Sequence, residues 1–593
     1  MEDLASNENT KIRIRLTVRK SKKIVYYTDR CRAISEFNEH RAMLLCPKLA
    51  PNFGYENHPL GIEEDNTNIP NFRFVSCEQI EGCIQYLNKA RFESMYSVTK
   101  EEAKAISLKA LVDKENNTVI FAESDEDFTD VLFSFLTMPM GTIIRLISNH
   151  NQRPTVEIGC MNNLYESIKN LDMQYFRSEA CKTMLLCPRN GAAAQNRRLK
   201  LQIDDGELLR YFFCYMDCTI YKHKLLSLYP NAVCECGRLM DRTMELSEKT
   251  GQKLVFDAPD RGVFVKGLTQ FIISDELQVK PSSREASLSI MSKLGFMDCS
   301  AIEEYNIDIG VDEVLTLLKC SLVSKKPLTE TLLKQNSAPK FGKEDFYQNI
   351  YVESKVEEPE SNVDGKIHVK LMVSKSKKMV CYAEASEEFV DLVSSFLTVP
   401  LGYIIKEMQS SISKGSLTHL YNSIQELDAE KYLKSNEHKE MLISPKLAPD
   451  FSYGNHPLGI EEGLHPTYRA TECFNGFHFV VKLTSDGEIP SGFTSSKILT
   501  VKDPKSHFKE ATRGGFVTGP TMFTVTDNLT ITPISQVSSL SLLNKLKVPF
   551  SDIEERVVHV GSQEALRLLV ASFVSESALT NAFLREPNPV QSG

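Results

Sequence analysis

Two segments of this chain are near copies of each other, and this repetition limits the folds available to it more than any other feature. ALVDKENNTVIFAESDEDFTDVLFSFLTMPMGTIIRLI begins at Ala110 and returns as LMVSKSKKMVCYAEASEEFVDLVSSFLTVPLGYIIKEM from Leu371. The match resumes downstream as NNLYESIKNLD and THLYNSIQELD. Internal similarity of this kind is typical of a chain built from repeated structural units. We therefore expect the two copies, called A segments, to share one fold.

A second repeat, called the B segment, follows each A segment. GVFVKGLTQFIISDELQVKPSSREASLSIMSKL starts at Gly262, and GGFVTGPTMFTVTDNLTITPISQVSSLSLLNKL starts at Gly514. Each copy then passes through a strand-like stretch into a helix and a shared Leu-Thr pair, in EVLTLLKCSLVSKKPLT and EALRLLVASFVSESALT. The order of segments is therefore A-B-A-B.

The N-terminus holds a third, incomplete A copy. Residues 11–29 match residues 366–384, and residues 38–64 match residues 436–462, but the helices between them are missing. Residues 65–100 match nothing else in the chain. A decayed duplicate and an imperfect gene model both explain this pattern, and we expect the region to be the least well packed.

Local patterning predicts the secondary structure of the A segment. Alternating apolar and polar residues on both sides of Lys114 to Asn117 predict a two-stranded hairpin. Ser124 or Asp125 is placed to cap the following helix, 128–136, which is apolar on nearly every side and should be buried. Pro139 and the glycine two residues later then interrupt the helix, so the FLT-x-P-x-G signature has a structural explanation rather than a catalytic one.

The B segment shows a different order of local signals. Two or three strands are predicted around Thr269 to Lys280, then a capped helix from Ser282 to Leu294. Another strand is predicted near Ile307 and another helix from Asp312 to Leu322. The same pattern holds for residues 521–573.

These patterns predict an α+β protein of tandem small hairpin-plus-helix domains in an A-B-A-B arrangement, with a zinc-ribbon-like insert as one option. The predicted division is a truncated A segment at 1–65, an unmatched segment at 66–103, an A segment at 104–197, a Cys-rich connecting segment at 198–258, a B segment at 259–334, a linker at 335–365, an A segment at 366–463, a connecting segment at 464–512, a B segment at 513–585 and a disordered tail at 586–593.

Composition excludes several classes of protein. The chain has 593 residues, a formal net charge of -9 and dispersed basic residues, so it lacks the broad positive surface of many nucleic-acid-binding proteins. The basic runs at 19–23 and 375–378 are expected to be solvated hairpin turns rather than nuclear import signals. No signal peptide and no apolar run of about 20 residues is visible, so no membrane association is expected. Fifteen cysteines without a secretory signal predict reduced thiols or metal ligands, in the cytoplasm or nucleus.

The one stretch with chemistry in it is YFFCYMDCTIYKHKLLSLYPNAVCECG, residues 211–237. It holds two cysteine pairs on either side of a loop, the arrangement that tetrahedral zinc needs. Four buried thiols in an aromatic-rich segment are the alternative, because unpaired cysteine behaves as a small apolar residue. Clustering favours a closed, structural site for one zinc ion. His223 is an alternative to one of the four ligands, but a lone histidine in such a segment is more often a surface residue. The predicted ligands are Cys214, Cys218, Cys234 and Cys236.

Other motifs are weaker. His58 and His456 recur in NHPLGIEE, each followed by two glutamates, but a repeated turn with a solvated acidic flank explains them without acid-base chemistry. Asp204 and Asp205 form a carboxylate pair that is more simply a loop before a strand. No phosphate-binding, dinucleotide-binding, metalloprotease or nucleophile-elbow motif is present.

VLFSFLTMPMG and SSFLTVPLG, LYESIKNLD, the cysteine cluster ending in CECG and the stretch from VTDNLTITP to LLNKL resemble a plant-specific family, domain of unknown function 674. The resemblance covers nearly the whole chain except residues 65–100. It implies plant origin and tandem architecture, and it carries over no activity, substrate or catalytic residue. The family pattern ends its cysteines in a CPCG-like sequence, where this chain has Glu235 in place of the proline.

Three functions compete, and the leading hypothesis is a non-enzymatic protein-interaction or scaffold protein with unknown protein partners. The second is a zinc-supported nucleic-acid-binding protein, suggested by the cysteine cluster and the nearby Arg197, Arg198 and Lys200. The third is an enzyme of unfamiliar type using cysteine and histidine, for which no nucleophile and base can be paired from sequence.

Overall fold

A computed structural model shows two units, residues 1–103 and residues 104–593. In the first unit it describes one antiparallel hairpin, in which Arg15 pairs with Thr28 and Arg19 with Ile24. The rest of the truncated A copy, with His58, and the unmatched segment lie outside the described residues. These residues are 15–19, 24–28, 105–150, 156–203, 210–216, 218–244, 246, 262–296, 300–333, 366–408, 416–453, 456–474, 479–485, 495–506 and 514–585.

Strands and helices alternate in blocks along the described chain. The strands are β1 Arg15–Arg19, β2 Ile24–Thr28, β3 Ile106–Asp113, β4 Thr118–Ser124, β5 Tyr211–Phe213, β6 Leu225–Leu226, β7 Ala232–Val233, β8 Leu239–Met240, β9 Arg242–Met244, β10 Phe271–Ser274, β11 Val279–Pro281, β12 Ile302–Ile309, β13 Ile367–Ser374, β14 Met379–Ser386, β15 Tyr468–Phe474, β16 Phe479–Ser485, β17 Ser495–Val501, β18 Met522–Thr526, β19 Ile531–Pro533 and β20 Ile553–Val560. The helices are α1 Glu126–Ser134, α2 Met140–Asn149, α3 Met161–Asn170, α4 Glu179–Leu186, α5 Ala193–Asn196, α6 Arg284–Lys293, α7 Val311–Ser321, α8 Pro327–Leu332, α9 Glu387–Ser395, α10 Leu401–Met408, α11 Leu417–Glu426, α12 Ala429–Tyr432, α13 Asn436–Ile443, α14 Gln536–Lys545, α15 Ser562–Val574 and α16 Ala578–Phe583. Within the part of the chain that the structure describes, no helix is both long and apolar enough to cross a membrane.

Two five-stranded sheets dominate the larger unit, and they have the same strand order. The first runs β11-β10-β4-β3-β12 and the second β19-β18-β14-β13-β20, with every neighbouring pair antiparallel. In each sheet the hairpin of an A segment lies in the centre and strands of the following B segment pair with both its edges. The α+β class predicted from sequence is confirmed, and the pairing of A with B strands in one sheet is a finding that local patterns did not predict.

The central hairpins form where the alternation predicts them. In β3 the apolar residues at every second position are buried, so that face of the strand lies on the core. Asn117 and Lys378 turn the two hairpins with φ angles of 49° and 50°, a left-handed conformation that asparagine tolerates well. Residues 375–378 are an exposed turn, as predicted for this basic run.

The buried helix predicted at 128–136 is present as α1, followed by a 3-10 turn at Phe135–Thr137. Asp125 caps it, because its carboxylate accepts from the backbone N–H of Asp127 at 3.1 Å. The chain then breaks at Pro139 and resumes as α2, with Gly141 inside its first turn.

The FLT-x-P-x-G signatures of the two halves meet each other. Pro139 and Pro400 form an antiparallel bridge across the halves. The N–H of Met140 donates to the carbonyl of Val399 at 3.1 Å. Reciprocally, the N–H of Leu401 donates to the carbonyl of Met138 at 2.9 Å. This exchange supports the structural interpretation of the signature.

Each half also lends a helix to the other half's sheet. The hydroxyl of Ser167 in α3 accepts from the N–H of Ile531 in β19 at 3.1 Å. In the same way, the hydroxyl of Ser423 in α11 accepts from the N–H of Val279 in β11 at 2.9 Å. One hydrophobic core therefore runs through both halves.

Buried aspartates tie each A helix to the start of its B segment. Asp130 in α1 accepts from the consecutive backbone N–H groups of residues 263–265. Asp391 in α9 accepts from Phe516 and Val517, each at 2.8 Å. Burial raises the pKa of both carboxyls to about 7, against the opposing effect of these N–H groups.

The Leu-Thr pair shared by the B segments closes a second set of bonds. Thr329 donates to Asp275 through its N–H at 2.8 Å and its hydroxyl at 2.6 Å. The same hydroxyl accepts from the N–H of Val119 in the central hairpin at 2.8 Å. Asp527 and Thr580 repeat the N–H and hydroxyl bonds at 2.7 and 2.8 Å. The repeated sequence thus encodes a repeated hydrogen-bond network.

Candidate metal centre

The Cys-rich connecting segment is built from very short strands. β5 pairs with β9 and β7 pairs with β8, and each of these strands has two or three residues. Isolated two-stranded hairpins are marginally stable in water even when they are longer. Further interactions must therefore hold this segment in place.

The cysteines occupy the turns between these strands. Cys214 directly follows β5, and Cys218 begins a π-helical turn, Cys218–Lys222. Cys234 follows β7, and Cys236 lies in the turn that leads to β8. The two cysteine pairs therefore approach from two separate turns, as the sequence predicts.

The CECG turn has the backbone geometry of a tight knuckle. The N–H of Cys234 donates to the carbonyl of Arg238 at 2.9 Å, and the N–H of Gly237 donates to the carbonyl of Cys234 at 2.8 Å. Gly237 has a φ of 78°, a left-handed conformation that glycine adopts without strain. A Cβ there would meet nothing within 4 Å, so the backbone conformation alone explains the glycine.

The four Sγ atoms all lie within 4.8 Å of one another. The Sγ of Cys234 is 3.3 Å from that of Cys214 and 3.7 Å from that of Cys218, and Cys236 lies 4.0 Å from Cys214. A tetrahedral ion with Zn–S bonds of about 2.3 Å separates its sulfur ligands by roughly 3.8 Å. The four thiols therefore fit such an ion with small adjustments. Elsewhere among the described residues, no other group of three or more cysteine, histidine or acidic side chains has this proximity.

His223 lies beside the cluster rather than replacing a ligand. Its Nδ1 is 3.2 Å from the Sγ of Cys218 and 3.7 Å from the Sγ of Cys234. An imidazole N–H at this position can donate to a thiolate and orient it, a common role for groups around a metal site. The substitute-ligand role considered from sequence is unnecessary, since four sulfurs are already in place.

Burial and proton affinity differ among the thiols. Cys214, Cys218 and Cys234 are buried, and Cys236 is exposed. Burial raises the pKa of Cys218 to about 11 and raises the pKa of Cys234 further. For the exposed Cys236, the small desolvation that raises the pKa is outweighed by the N–H of Arg238 and the neighbouring thiols, which lower it. A bound divalent cation would stabilise the thiolate form of these buried cysteines and so lower their pKa.

The cluster packs against the second connecting segment. β6, which follows the π-helical turn, pairs in parallel with β17 and so becomes the edge of a four-stranded sheet of order β16-β15-β17-β6. The rings of Tyr211 and Tyr468 lie 5.2 Å apart across these segments. The connecting segments of both halves therefore form one continuous structure around the cysteines.

The other residues singled out from sequence do not join this site. Arg197, Arg198 and Lys200 are exposed, and the Nζ of Lys200 pairs with a carboxylate oxygen of Asp127 at 2.8 Å. Asp204 and Asp205 lie outside the described residues.

The turn expected at His456 is present, since the N–H of Gly459 donates to the carbonyl of His456 at 3.4 Å, and the His456 ring itself is largely buried. Its Nε2 lies 3.0 Å from the hydroxyl of Ser395, and its ring is 4.6 Å from that of Tyr453. Burial lowers the pKa of His456 to about 4, so the ring is neutral at physiological pH. The following glutamate, Glu461, is exposed and pairs with Lys446 at 2.8 Å, as a solvated flank should.

Sequence reasoning missed a buried ion pair in the second connecting segment. The side chain of Lys505 is fully buried, and its Nζ lies 2.9 Å from Asp503 and also donates to the carbonyl of Asp450. Asp450 in turn lies 2.7 Å from the Nε2 of His465. A lysine in a polar stretch such as VKDPKSH gives no signal of burial, since lysine is almost always exposed.

The profile of the family described as protein of unknown function, DUF674, matches residues 102–563. No curated protein and no solved structure is significantly similar to the chain. The matched region contains both A segments, both connecting segments, the first B segment and most of the second. The chain therefore belongs to the DUF674 family.

Proposed function

We propose that this chain is a non-enzymatic interaction protein whose first connecting segment is held by one structural zinc ion on Cys214, Cys218, Cys234 and Cys236. The observation that supports the zinc ion in this proposal is the approach of the four Sγ atoms to within 4.8 Å of one another. Thiolates are soft ligands that suit zinc, and four of them complete its tetrahedral coordination. No coordination position would remain for a substrate, so the ion would serve structure rather than catalysis.

The hydrogen bonds of four largely buried aspartates support a structural role for these acids over a catalytic one. Asp130, Asp391, Asp275 and Asp527 each hold two segments of the fold together through hydrogen bonds to backbone or hydroxyl groups. Perturbed carboxyls often mark catalytic sites, but structural networks perturb them as well. In this chain the same hydrogen-bond network occurs in both halves, which is typical of a structural role rather than a catalytic one.

The repetition supports a tandem origin of the fold. Two sheets of identical order, each with one A hairpin between B strands, are what duplication of an A-B unit would produce. The Cys-rich segment is then a zinc-ribbon-like insert of the first unit. Reduced thiols at this site fit the cytoplasm or nucleus.

Zinc content tests the proposal directly. The full chain, expressed with added zinc and purified without chelator, should carry about one zinc ion per chain by mass spectrometry of the metal. Replacing both Cys234→Ser and Cys236→Ser should abolish the binding, whereas Cys320→Ser, which alters a cysteine outside the cluster, should leave it intact. Zinc that persists in the double variant, or a wild type without zinc, contradicts the proposal.

X-ray absorption distinguishes a structural site from a catalytic one. A closed site gives four sulfur ligands at about 2.3 Å, while a site open to water gives three protein ligands and one oxygen. An oxygen in the first coordination sphere would contradict the structural assignment even if zinc is bound.

A further inference from the structure

Two tyrosine rings next to the cysteine cluster are exposed instead of buried. Tyr215 directly follows Cys214 and is 40% exposed. Tyr221 lies in the π-helical turn that Cys218 begins and is 56% exposed. Both rings are therefore held at the surface by the turns that carry the predicted metal ligands.

Each of these rings lies against a basic side chain. The guanidinium carbon of Arg242 is 5.1 Å from the centre of the Tyr215 ring, and that of Arg238 is 6.0 Å away. The Nζ of Lys497, from β17, is 4.3 Å from the centre of the Tyr221 ring. These are cation–π distances, and they place positive charge beside flat, solvent-accessible aromatic surface.

The surrounding residues add positive charge at short range. Residues 210–244 contain five basic and three acidic side chains, in a chain whose overall net charge is -9. Lys222 and Lys224, between Tyr221 and β6 in the sequence, are exposed. Glu235 and Asp241 are exposed in and near the CECG turn. This local excess of basic residues opposes the charge of the whole protein.

We infer that this surface, defined by Tyr215, Tyr221, Arg238, Arg242 and Lys497, binds single-stranded nucleic acid. Exposed aromatic rings stack on bases, and neighbouring cations contact phosphates, which is how proteins bind single strands without a sequence code. A protein partner fits less well, because protein interfaces are depleted of lysine and Lys497 forms part of this surface. A duplex fits less well too, since Tyr221 lies on a five-residue turn and Arg242 on a three-residue strand, both too short to follow a groove. The inference rests on the proposed zinc site, which would fix the turns that carry Tyr215, Tyr221 and Arg238.

Fluorescence anisotropy of a labelled 20-nucleotide oligouridylate with the full, zinc-loaded chain tests this inference. Binding is expected at about 50 mM salt and should weaken steeply by about 200 mM salt. Tyr215→Ala should weaken it roughly tenfold, while Tyr215→Phe, which keeps the ring, should stay within about twofold of the wild type. The double variant Arg238→Gln and Arg242→Gln should reduce the magnitude of the slope of log affinity against log salt by about 1.4, or about 0.7 for each charge removed.

Tyr305→Ala is the matched control, because Tyr305 is 43% exposed on β12 and its hydroxyl contacts Glu303 rather than a cation. It should bind as the wild type does. Zinc-loaded wild type that fails to bind at low salt, or unchanged binding by Tyr215→Ala and the arginine variant, overturns the inference. Tighter binding to polyglutamate than to the oligonucleotide also overturns it, in favour of an acidic protein partner. Zinc content measured on every preparation separates these results from failure of the proposed metal site, which would appear as wild type without zinc.

Discussion

The two connecting segments differ in how much backbone pairing holds each of them together. In the first half, strands of two or three residues surround four cysteines. In the second half, β15, β16 and β17 have seven residues each and pair along their length, with seven residue pairs between β15 and β16. The sheets on either side have the same strand order in both halves. The second segment is held by extensive backbone pairing, whereas the first has little pairing and would gain cross-links from the proposed zinc ion.

Metal removal should give the largest effect, and only in the first half. With excess chelator we expect amides of β7 and β8 to exchange with solvent about 100-fold faster or more, because binding of a structural zinc ion contributes most of the stability of such small units. Amides of β15 should keep their protection, apart from those near the shared edge. Hydrogen exchange by mass spectrometry measures both segments at once. Equal loss of protection in both segments would show that the second also depends on the ion.

Substitution of the buried aspartates should cost more in the first half than in the second. Both oxygens of Asp130 accept from backbone N–H groups, so Asp130→Asn sets an NH₂ group against a donor and should lose about 3 kcal/mol in the free energy of unfolding. In Asp391 one oxygen, Oδ1, accepts from both Phe516 and Val517, so Asp391→Asn can keep a carbonyl oxygen there and should lose less. Urea denaturation followed by circular dichroism measures both losses. Asp428→Asn is the control, because Asp428 is an exposed N-cap residue and asparagine caps equally well. Equal losses in both variants would contradict this difference between the two aspartates.

The glycines of the FLT-x-P-x-G signatures should give a smaller effect. A Cβ on Gly402 would lie 2.9 Å from the carbonyl oxygen of Leu136 in the other half, and a Cβ on Gly141 would lie 2.8 Å from that of Leu185 in its own half. We expect Gly402→Ala and Gly141→Ala to cost about 1 to 3 kcal/mol in unfolding free energy. Gly463→Ala is the control, since a Cβ there would approach no neighbouring atom more closely than 3.4 Å. Unchanged denaturation midpoints in both variants would contradict the tight packing of the halves.

The pH dependence of Asp391 tests whether burial governs the proton affinity of its carboxyl. Its pKa is 3.8 in ordinary surroundings and about 7 in the fold, where burial and Glu387 raise it and the N–H groups of Val517 and Phe516 with Arg177 lower it. The folded protein therefore binds the proton more tightly, and the wild type loses stability through this group as pH rises from about 4 to 7. Asparagine does not titrate, so the stability gap between wild type and Asp391→Asn should be narrower at pH 8 than at pH 5. A gap that widens with pH would show that the hydrogen bonds and Arg177 outweigh burial.

Local features of this fold follow from the sequence because their causes are local. Alternation specifies the hairpin at Lys114 to Asn117, and the apolar run with Asp125 before it specifies α1. The cysteine pairs predict the cluster, since each pair sits on its own turn. In these places the residues that determine the structure are neighbours along the chain.

Other features depend on partners far away in the sequence. Periodicity shows that a strand has a buried face, but not that β12 and β10 will pair with the two edges of the A hairpin. Likewise, no pattern around Ser167 indicates that it bonds to β19 of the other half. The burial of Lys505 depends on Asp503 and a carbonyl brought close only by folding. Such contacts need the tertiary structure.

The exchange of helices between halves has a consequence for synthesis on the ribosome. The hydroxyl of Ser167 accepts from the backbone N–H of Ile531, and these two residues are 364 positions apart in the sequence. At a translation rate of about 5 to 20 residues per second, roughly 20 to 70 seconds pass before that partner is made. During this time the nascent first half lacks the residues of the second half that share its hydrophobic core, so we expect it to expose apolar surface that favours aggregation.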